Sequence, residues 1–412
     1  MSGLGDVLAG RPPVPDEIGA DSLGRPVATA GQLSARLRPA WAEIDLGAVS
    51  DNVAYLCQVV APARVCAVVK AYGYGHGSVP VARAALAGGA TYLGVALAEE
   101  GHELRKAGLG APVLVLSEPP AAAMAMVVED RLTPTVYTEK GLASLLAAVR
   151  ARREESPVPF PLHLKLDSGM HRVGADPETV ADLARRASAE PELHLEGVFT
   201  HLAVADEPDN PFTGEQLACL GSVLARLAEE GTRPALVHAA NSAGALFHPQ
   251  ARLDMVRAGI AVYGLAPASS LTEDPRARPL RPALSLKARV SYAKEVASGG
   301  RLSYGLRYQL GCRSVVATVP LGYADGVPRR LFEVGGEVLV GGRRAPVAGT
   351  VTMDQILVDC GPGANVRAGD EVVLLGRQGG EEISAWHWAD RLGTIAYEVT
   401  CALSARLPRI YT

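Results

Sequence analysis

The six cysteines of this 412-residue chain, Cys57, Cys66, Cys219, Cys312, Cys360 and Cys401, form no CxxC pair and no Cys/His group at zinc spacing. That excludes a zinc ribbon and a disulfide framework, and it reads as free thiols in a reducing cytoplasm. No apolar run approaches the roughly 20 residues needed to span a bilayer, and the N-terminus lacks a basic region followed by an apolar core. A cytoplasmic location follows as the expectation. A long basic run is also missing, and 40 Lys and Arg stand against 44 Asp and Glu for a net charge of −4. Neither nucleic acid nor a membrane is therefore expected as partner. At 48% apolar and 20% charged residues the chain can bury a large core, so a two-domain enzyme acting on a small molecule fits best.

Residues 1–40 are rich in Gly, Pro and Ala without sustained apolar periodicity, and read as a flexible extension. AWAEIDL, from Ala40, alternates like a strand, and LGAVSDNVAYLCQVV follows at helical spacing. Eight strand-like runs then recur: Val65 to Val69, Tyr92 to Val95, Val113 to Leu116, Thr135 to Tyr137, Leu162 to Leu166, Leu195 to Phe199, Leu236 to Ala239 and Leu253 to Val256. Helical patterns separate most of them, including Val79 to Ala87, Ala98 to Ala107, Glu139 to Arg153, Pro177 to Ala189 and Glu215 to Glu230. Alternating β and α with eight strands predicts an α/β fold of the TIM-like (β/α)₈ barrel type over residues 41–280. The rhythm stops near residue 266, where a proline-rich stretch reads as a linker or an extended crossing segment. Short β-branched runs between glycine turns then predict a mostly β domain over residues 281–412, interrupted by one helix, ISAWHWADRLG, with Gly393 as its stop.

The chemistry centres on VCAVVKAYGYGHG, residues 65–77. A buried strand runs into Lys70, and glycines at every second position then let backbone amides and Tyr74 approach an anion. A lysine so placed must snorkel, pair or lose its proton, and a neutral lysine is a nucleophile that forms a Schiff base with a carbonyl. In a barrel the catalytic groups belong beyond the C-terminal ends of the strands. Lys70 follows the first, Lys165 and residues 167–172 close the fifth, His201 follows the sixth, Asn241 and Ser242 the seventh, and Arg257 with Gly259 and Ile260 the eighth. Loops after the last two strands commonly hold phosphate in this fold, which gives Ser242 and the Gly259 and Ile260 amides a job. Taken singly, each residue has a plainer reading: Arg257 as a rim salt bridge, His201 as a core histidine, Ser242 as a helix N-cap. Their joint placement favours a site.

VVKAYGYGHG, LDSGMHRVG, FTHLA, HAANSA, RAGIAVYG, SYG, GYADG, TMDQ and TIAYE occur in the order and spacing of the alanine racemase family, and over residues 41–410 the chain resembles its members. The resemblance implies pyridoxal 5′-phosphate (PLP) as cofactor, L- and D-alanine as substrates, D-alanine supply for peptidoglycan as the role, and a head-to-tail homodimer whose C-terminal domain completes the partner's site. It implies that Lys70 carries PLP and is one catalytic base, with Tyr304, from the other subunit, as the second. It further implies that Tyr74, Ser242, Gly259, Ile260 and Tyr397 hold the phosphate and that Arg257 faces the pyridine nitrogen. Asn241 belongs to the same cofactor-binding set, as does His201, which would contact Arg257 and the ring. Arg172 and Met353 would meet the substrate carboxylate, Tyr323 and Asp354 would stand near the entrance, and Lys165 matches a lysine that is carbamylated in several members. Two positions depart from the pattern: Tyr72, where a smaller residue such as Asp or Asn is usual, and His171, where glycine is frequent. A racemase of serine or of broader specificity, a PLP-dependent decarboxylase and a non-catalytic PLP carrier are the competing readings. The decarboxylase's cysteine-bearing loop is not evident, and a carrier has no use for a second base.

Overall fold

The structure, a computed structural model, describes residues 38–152 and 159–412. The expected extension, residues 1–40, lies outside the described residues except for its last three, and Arg153, the expected end of one helix, lies outside them too. The extension's described end is not loose: the Arg38 guanidinium donates to both carboxylate oxygens of the buried Asp325, at 2.7 and 2.5 Å.

The first strand, β1 (Ala40–Ile44), corrects the expected grouping of residues 41–280 into one barrel unit. The eight strands that follow it, β2 (Arg64–Val68), β3 (Tyr92–Val95), β4 (Val113–Val115), β5 (Thr133–Val136), β6 (Phe160–Lys165), β7 (Leu193–Phe199), β8 (Leu236–His238) and β9 (Met255–Ala258), make a parallel sheet. Its order is β8-β7-β6-β5-β4-β3-β2-β9. Two hydrogen bonds bring its ends together, Asp254 N–H to Val237 O at 3.0 Å and Arg257 N–H to Ala240 O at 2.9 Å. β1 instead pairs antiparallel with β10 (Leu284–Arg289) and parallel with the terminal strand Arg409–Tyr411. Its alternating burial is that of a sheet with one covered face, whereas β3, β4, β5 and β9 are buried at every position, as barrel strands wrapped by helices are. Helices such as Leu46–Val60, capped by Asp45, and Pro177–Ala189, capped by Asp176, turn their apolar stripes onto the barrel.

The C-terminal part is built on a seven-stranded sheet containing β1 and β10, with a three-stranded sheet and a small hairpin beside it. APVAGTV is strand as far as Pro346, and Val347 keeps an isolated bridge to Val358 before the chain turns through Gly349 with φ 90°. The helix expected there is Ala385–Leu392, stopped by left-handed Gly393, and a second, Ala396–Cys401, follows it. Residues 267–282 are neither a loose linker nor an extended crossing segment: they run through a 3-10 turn, Ser269–Leu271, and further turns, and are tied down at both ends. Asn52 brackets Arg281, accepting from its N–H and donating to its carbonyl, and Ser269 donates to Asp390 at 2.7 Å.

Candidate active site

A cavity of about 590 Å³ opens at the C-terminal ends of the barrel strands. Lys70, Tyr74, Lys165, Arg172, His201, Asn241, Ser242, Arg257, Gly259, Ile260 and Tyr397 all line it. Arg257 is inside β9 rather than after it, since that strand starts at Met255 and not at Leu253.

Lys70 begins a turn of unusual hand. Ala71, Tyr72 and Gly73 all take left-handed helical angles (φ 53, 54 and 58°), and Tyr74 follows at φ 52°. A left-handed residue other than glycine costs roughly 1–2 kcal/mol, so the turn persists only because its surroundings hold it. Glu100 accepts from Ala71 N–H at 2.7 Å, and buried Arg409 donates to the Gly75 carbonyl at 3.0 Å. Gly75 lies so close to the Ala396–Cys401 helix that an added Cβ would meet the Thr400 carbonyl oxygen at 2.1 Å. Both departures from the family pattern fall on left-handed positions. Tyr72 sits where Asn and Asp are at ease, and is covered by the Arg409 guanidinium at 5.2 Å from its ring. His171, at φ 56°, occupies a glycine-type position and is held by Asp167, which takes its backbone N–H at 3.0 Å and lies 3.1 Å from its ring.

Burial and then the Arg172 charge lower the Lys70 pKa, partly offset by Glu100 and Cys401. The same two influences, burial first and then the Arg257 and Arg172 charges, push Lys165 down to about 7. A neutral amine is therefore accessible to Lys165 near neutral pH, and the surroundings of Lys70 favour its neutral form relative to a free lysine. Arg257, brought down to about 10 by burial, stays a cation. One of its terminal nitrogens donates to His238 at 2.6 Å, and the other to the carbonyls of Thr200 and Ala239 and to His201 Nδ1 at 3.1 Å. A guanidinium only donates, so His201 Nδ1 is an acceptor and the ring's proton is on Nε2. Burial, reinforced by four nearby cations, keeps that ring neutral.

At the other end of the cavity the Ser242 hydroxyl accepts from Gly259 N–H at 2.9 Å and Ala261 N–H at 3.3 Å. Gly259 leaves the space a side chain would take: a Cβ there would lie 2.5 Å from Tyr74 Oη. Tyr74 itself is stacked on Tyr263, with centroids 4.8 Å apart. Hydroxyls, backbone amides and an absent side chain at one end, a buried guanidinium at the other and a lysine at the side fit a flat, phosphate-bearing aldehyde such as PLP. Asn241 has a narrower part: its Oδ1 caps the helix Ser242–Phe247 by accepting from Gly244 N–H.

Four sequence candidates are elsewhere. Tyr304, Tyr323, Met353 and Asp354 do not line this cavity, and Tyr304 is 75% exposed. They nonetheless share one patch. Thr350 accepts from Ser303 and donates to the Tyr304 carbonyl, and the 352–353 carbonyls accept from Tyr323 and Ala324 N–H. Ser303 and Leu306 are also left-handed, which turns the tyrosine outward on a strained tip.

Sequence reasoning missed Glu100, Phe199 and Tyr263. Glu100 sits in a helical run with no motif to flag it. Phe199 was visible inside FTHLA, and its ring packs under both Lys165 and Arg257, at 5.4 and 4.9 Å. Tyr263, in RAGIAVYG, donates to the Val68 carbonyl at 2.9 Å and so ties the Lys70 strand to the phosphate end.

Family models for the N-terminal and C-terminal domains of alanine racemase match residues 44–267 and 283–411. The alanine racemase of Symbiobacterium thermophilum is 48% identical over 376 residues, covering 91% of this chain and 97% of that protein. Among solved structures, alanine racemase from Streptomyces coelicolor A3(2) superposes with a TM-score of 0.85 at 38% identity, covering 92% and 99% of the two chains. That from Bacillus anthracis with bound L-Ala-P gives 0.82, also at 38% identity, over 91% and 95%.

Proposed function

The chain belongs to the alanine racemase family, and from that premise we propose the part each residue of the cavity plays in interconverting L- and D-alanine with PLP. The observation that carries the assignment is the convergence of Lys70, Arg257 and the Ser242–Gly259–Tyr74 cradle on one cavity of cofactor size. Bound there, PLP supplies the electron sink that lets the Cα–H bond of an amino acid break.

Lys70 would hold the cofactor through its amine, and its Nζ would take or return the Cα proton on one face. Burial and the Arg172 charge, which lower its pKa, favour the neutral amine that this exchange uses. Ser242, the Ile260 amide, Tyr74 and Tyr397 hold the phosphate, and Gly259 contributes the N–H that orients the Ser242 hydroxyl and the space its missing side chain leaves. Arg257 would face the pyridine edge as a fixed donor that keeps its own protons, since a guanidinium does not give one up. Arg172, exposed at the rim, takes the substrate carboxylate. Lys165 stands near three cations, Arg257, Arg172 and Lys70, and a carbamate there would turn repulsion into attraction. In that step the neutral Nζ adds to the carbon of CO₂ and releases a proton to solvent.

Inversion needs a proton group on the opposite face, and we assign it to Tyr304 of the partner subunit in a head-to-tail homodimer. The support is the exposed tip that carries Tyr304 beside the loops of Met353 and Tyr323, all outside the chain's own cavity. Among the described residues no helix is long and apolar enough to cross a membrane.

The test is D-alanine formation from L-alanine by purified protein with PLP, run beside L-serine and Lys70→Ala. Alanine turnover that vanishes in the variant supports the reading, whereas faster turnover of serine points to the broader racemase.

A further inference from the structure

The barrel interior beneath Arg257 contains a line of polar groups that the reaction as described does not use. His238 and His163 are both fully buried, on β8 and β6. His238 Nδ1 receives Arg257 at 2.6 Å, His238 Nε2 lies 2.9 Å from His163 Nδ1, and His163 Nε2 lies 3.0 Å from Glu196 Oε2. The other oxygen of Glu196 accepts from Tyr92 at 2.8 Å. Tyr92 opens β3, so the line runs from the cavity floor toward the N-terminal ends of the strands, where the Glu196 side chain reaches solvent.

The donor direction of every link is determined. Arg257 only donates, so His238 Nδ1 accepts and, in a neutral ring, Nε2 carries the hydrogen. That hydrogen makes His163 Nδ1 an acceptor, which puts the His163 hydrogen on Nε2, facing a carboxylate that only accepts. Burial disfavours protonation of both rings and outweighs the opposing pull of Glu196 on His163, and the Arg257 charge adds to it at both. Arg257 sets this order from one end, and Glu196 supplies the acceptor at the other: without it the buried His163 Nε2–H has no partner, a penalty that only a change of tautomer would relieve. The alternative tautomer would present Nδ1–H to His238, and His238 would have to turn a hydrogen toward Arg257.

We propose that Glu196, which does not touch the cavity, is a positioning residue for Arg257: by accepting the terminal His163 Nε2–H it holds both rings in the tautomers that let His238 accept from Arg257. Its carboxylate also places a counter-charge for the buried guanidinium at the end of two polarisable imidazoles, where a directly paired carboxylate would compete with the cofactor for the same donors. The proposal rests on the place given to Arg257 above.

The test begins with ¹⁵N spectra of histidine-labelled holoenzyme, since only nine histidines are present. The expected wild-type result is two neutral rings with hydrogen on Nε2 for both His163 and His238. Glu196→Leu is expected to shift both resonances toward a tautomer mixture and to lower kcat about tenfold, a single hydrogen bond's worth, with KM for alanine within about twofold. Glu196→Gln, which keeps an acceptor, should restore both tautomers and most of kcat. A wild-type ring that is doubly protonated or carries its hydrogen on Nδ1 would overturn the proposal, as would Glu196→Leu with unchanged resonances or unchanged kcat. If that variant does not fold, the wild-type spectrum and Glu196→Gln decide. The tautomers are read without turnover, so a failed racemase assignment and a failed relay give different results.

Discussion

Replacing Gly259 by alanine puts one methyl group into the cradle at the phosphate end. The added Cβ would sit 2.5 Å from Tyr74 Oη and 3.2 Å from Cζ, roughly 1 Å inside ordinary contact with the oxygen. Tyr74 has little freedom to retreat, being 8% exposed and stacked on Tyr263, so its hydroxyl is driven toward the cofactor space. Overpacking of this kind costs about 1–3 kcal/mol, and if it falls on the bound state the PLP dissociation constant rises between about fivefold and a hundredfold. The assay is PLP titration of the apoprotein by absorbance. Tyr74→Phe removes the clashing oxygen, so the two substitutions together should cost clearly less than the sum of each alone. Wild-type affinity in Gly259→Ala, or strict additivity in the pair, would refute the account of the cradle.

At Tyr72, substitution by Asn should relieve about 1–2 kcal/mol of left-handed strain while losing a cation–π contact worth about 0.5–1, leaving the melting temperature within a few degrees and kcat unchanged. A large loss of stability in calorimetry would contradict that balance. Arg409 donates to the carbonyls of Gly75, Leu403, Ser404 and Leu407, so Arg409→Ala should destabilise by about 3–5 kcal/mol in urea titration and weaken PLP binding by loosening the Lys70 turn. An undiminished urea midpoint would remove Arg409 as the anchor. Lys165 gives up its proton in the folded state near pH 7 and in the unfolded state near 10.5. The unfolded chain holds the extra proton between those values, so the stability deficit is full below about 7 and disappears as pH rises toward 10.5. Lys165→Met should therefore raise the melting temperature at pH 6 in CO₂-free buffer, with a gain that shrinks as the pH approaches 10; a gain independent of pH would refute the assigned burial.

All eight barrel strands were legible because each is short, apolar and bounded by turn residues, and the candidates from Lys70 to Ile260 followed from the rule that strand ends carry chemistry. β1 was assigned to the wrong unit because membership depends on pairing with residues 284–289 and 409–411, more than 200 positions away. The hand of the Lys70 turn was invisible too, since in AYGY only Gly73 takes left-handed angles freely and the holding groups, Glu100 and Arg409, come from distant elements. The His163–His238–Glu196 line escaped notice for a related reason. Each member sits on its strand with side chain inward, where sequence alone reads a core histidine or a strand-end acid.

The most direct test of the central claim, a site completed by a second copy, is to co-express Lys70→Ala and Tyr304→Phe under different tags and isolate the mixed dimer. Each variant alone is expected to be nearly inactive. In the mixed dimer one site collects both substitutions and the other neither, so the account predicts about half the wild-type racemase activity. A mixed dimer as inactive as its parents would contradict it, placing Lys70 and Tyr304 in the same chain's site.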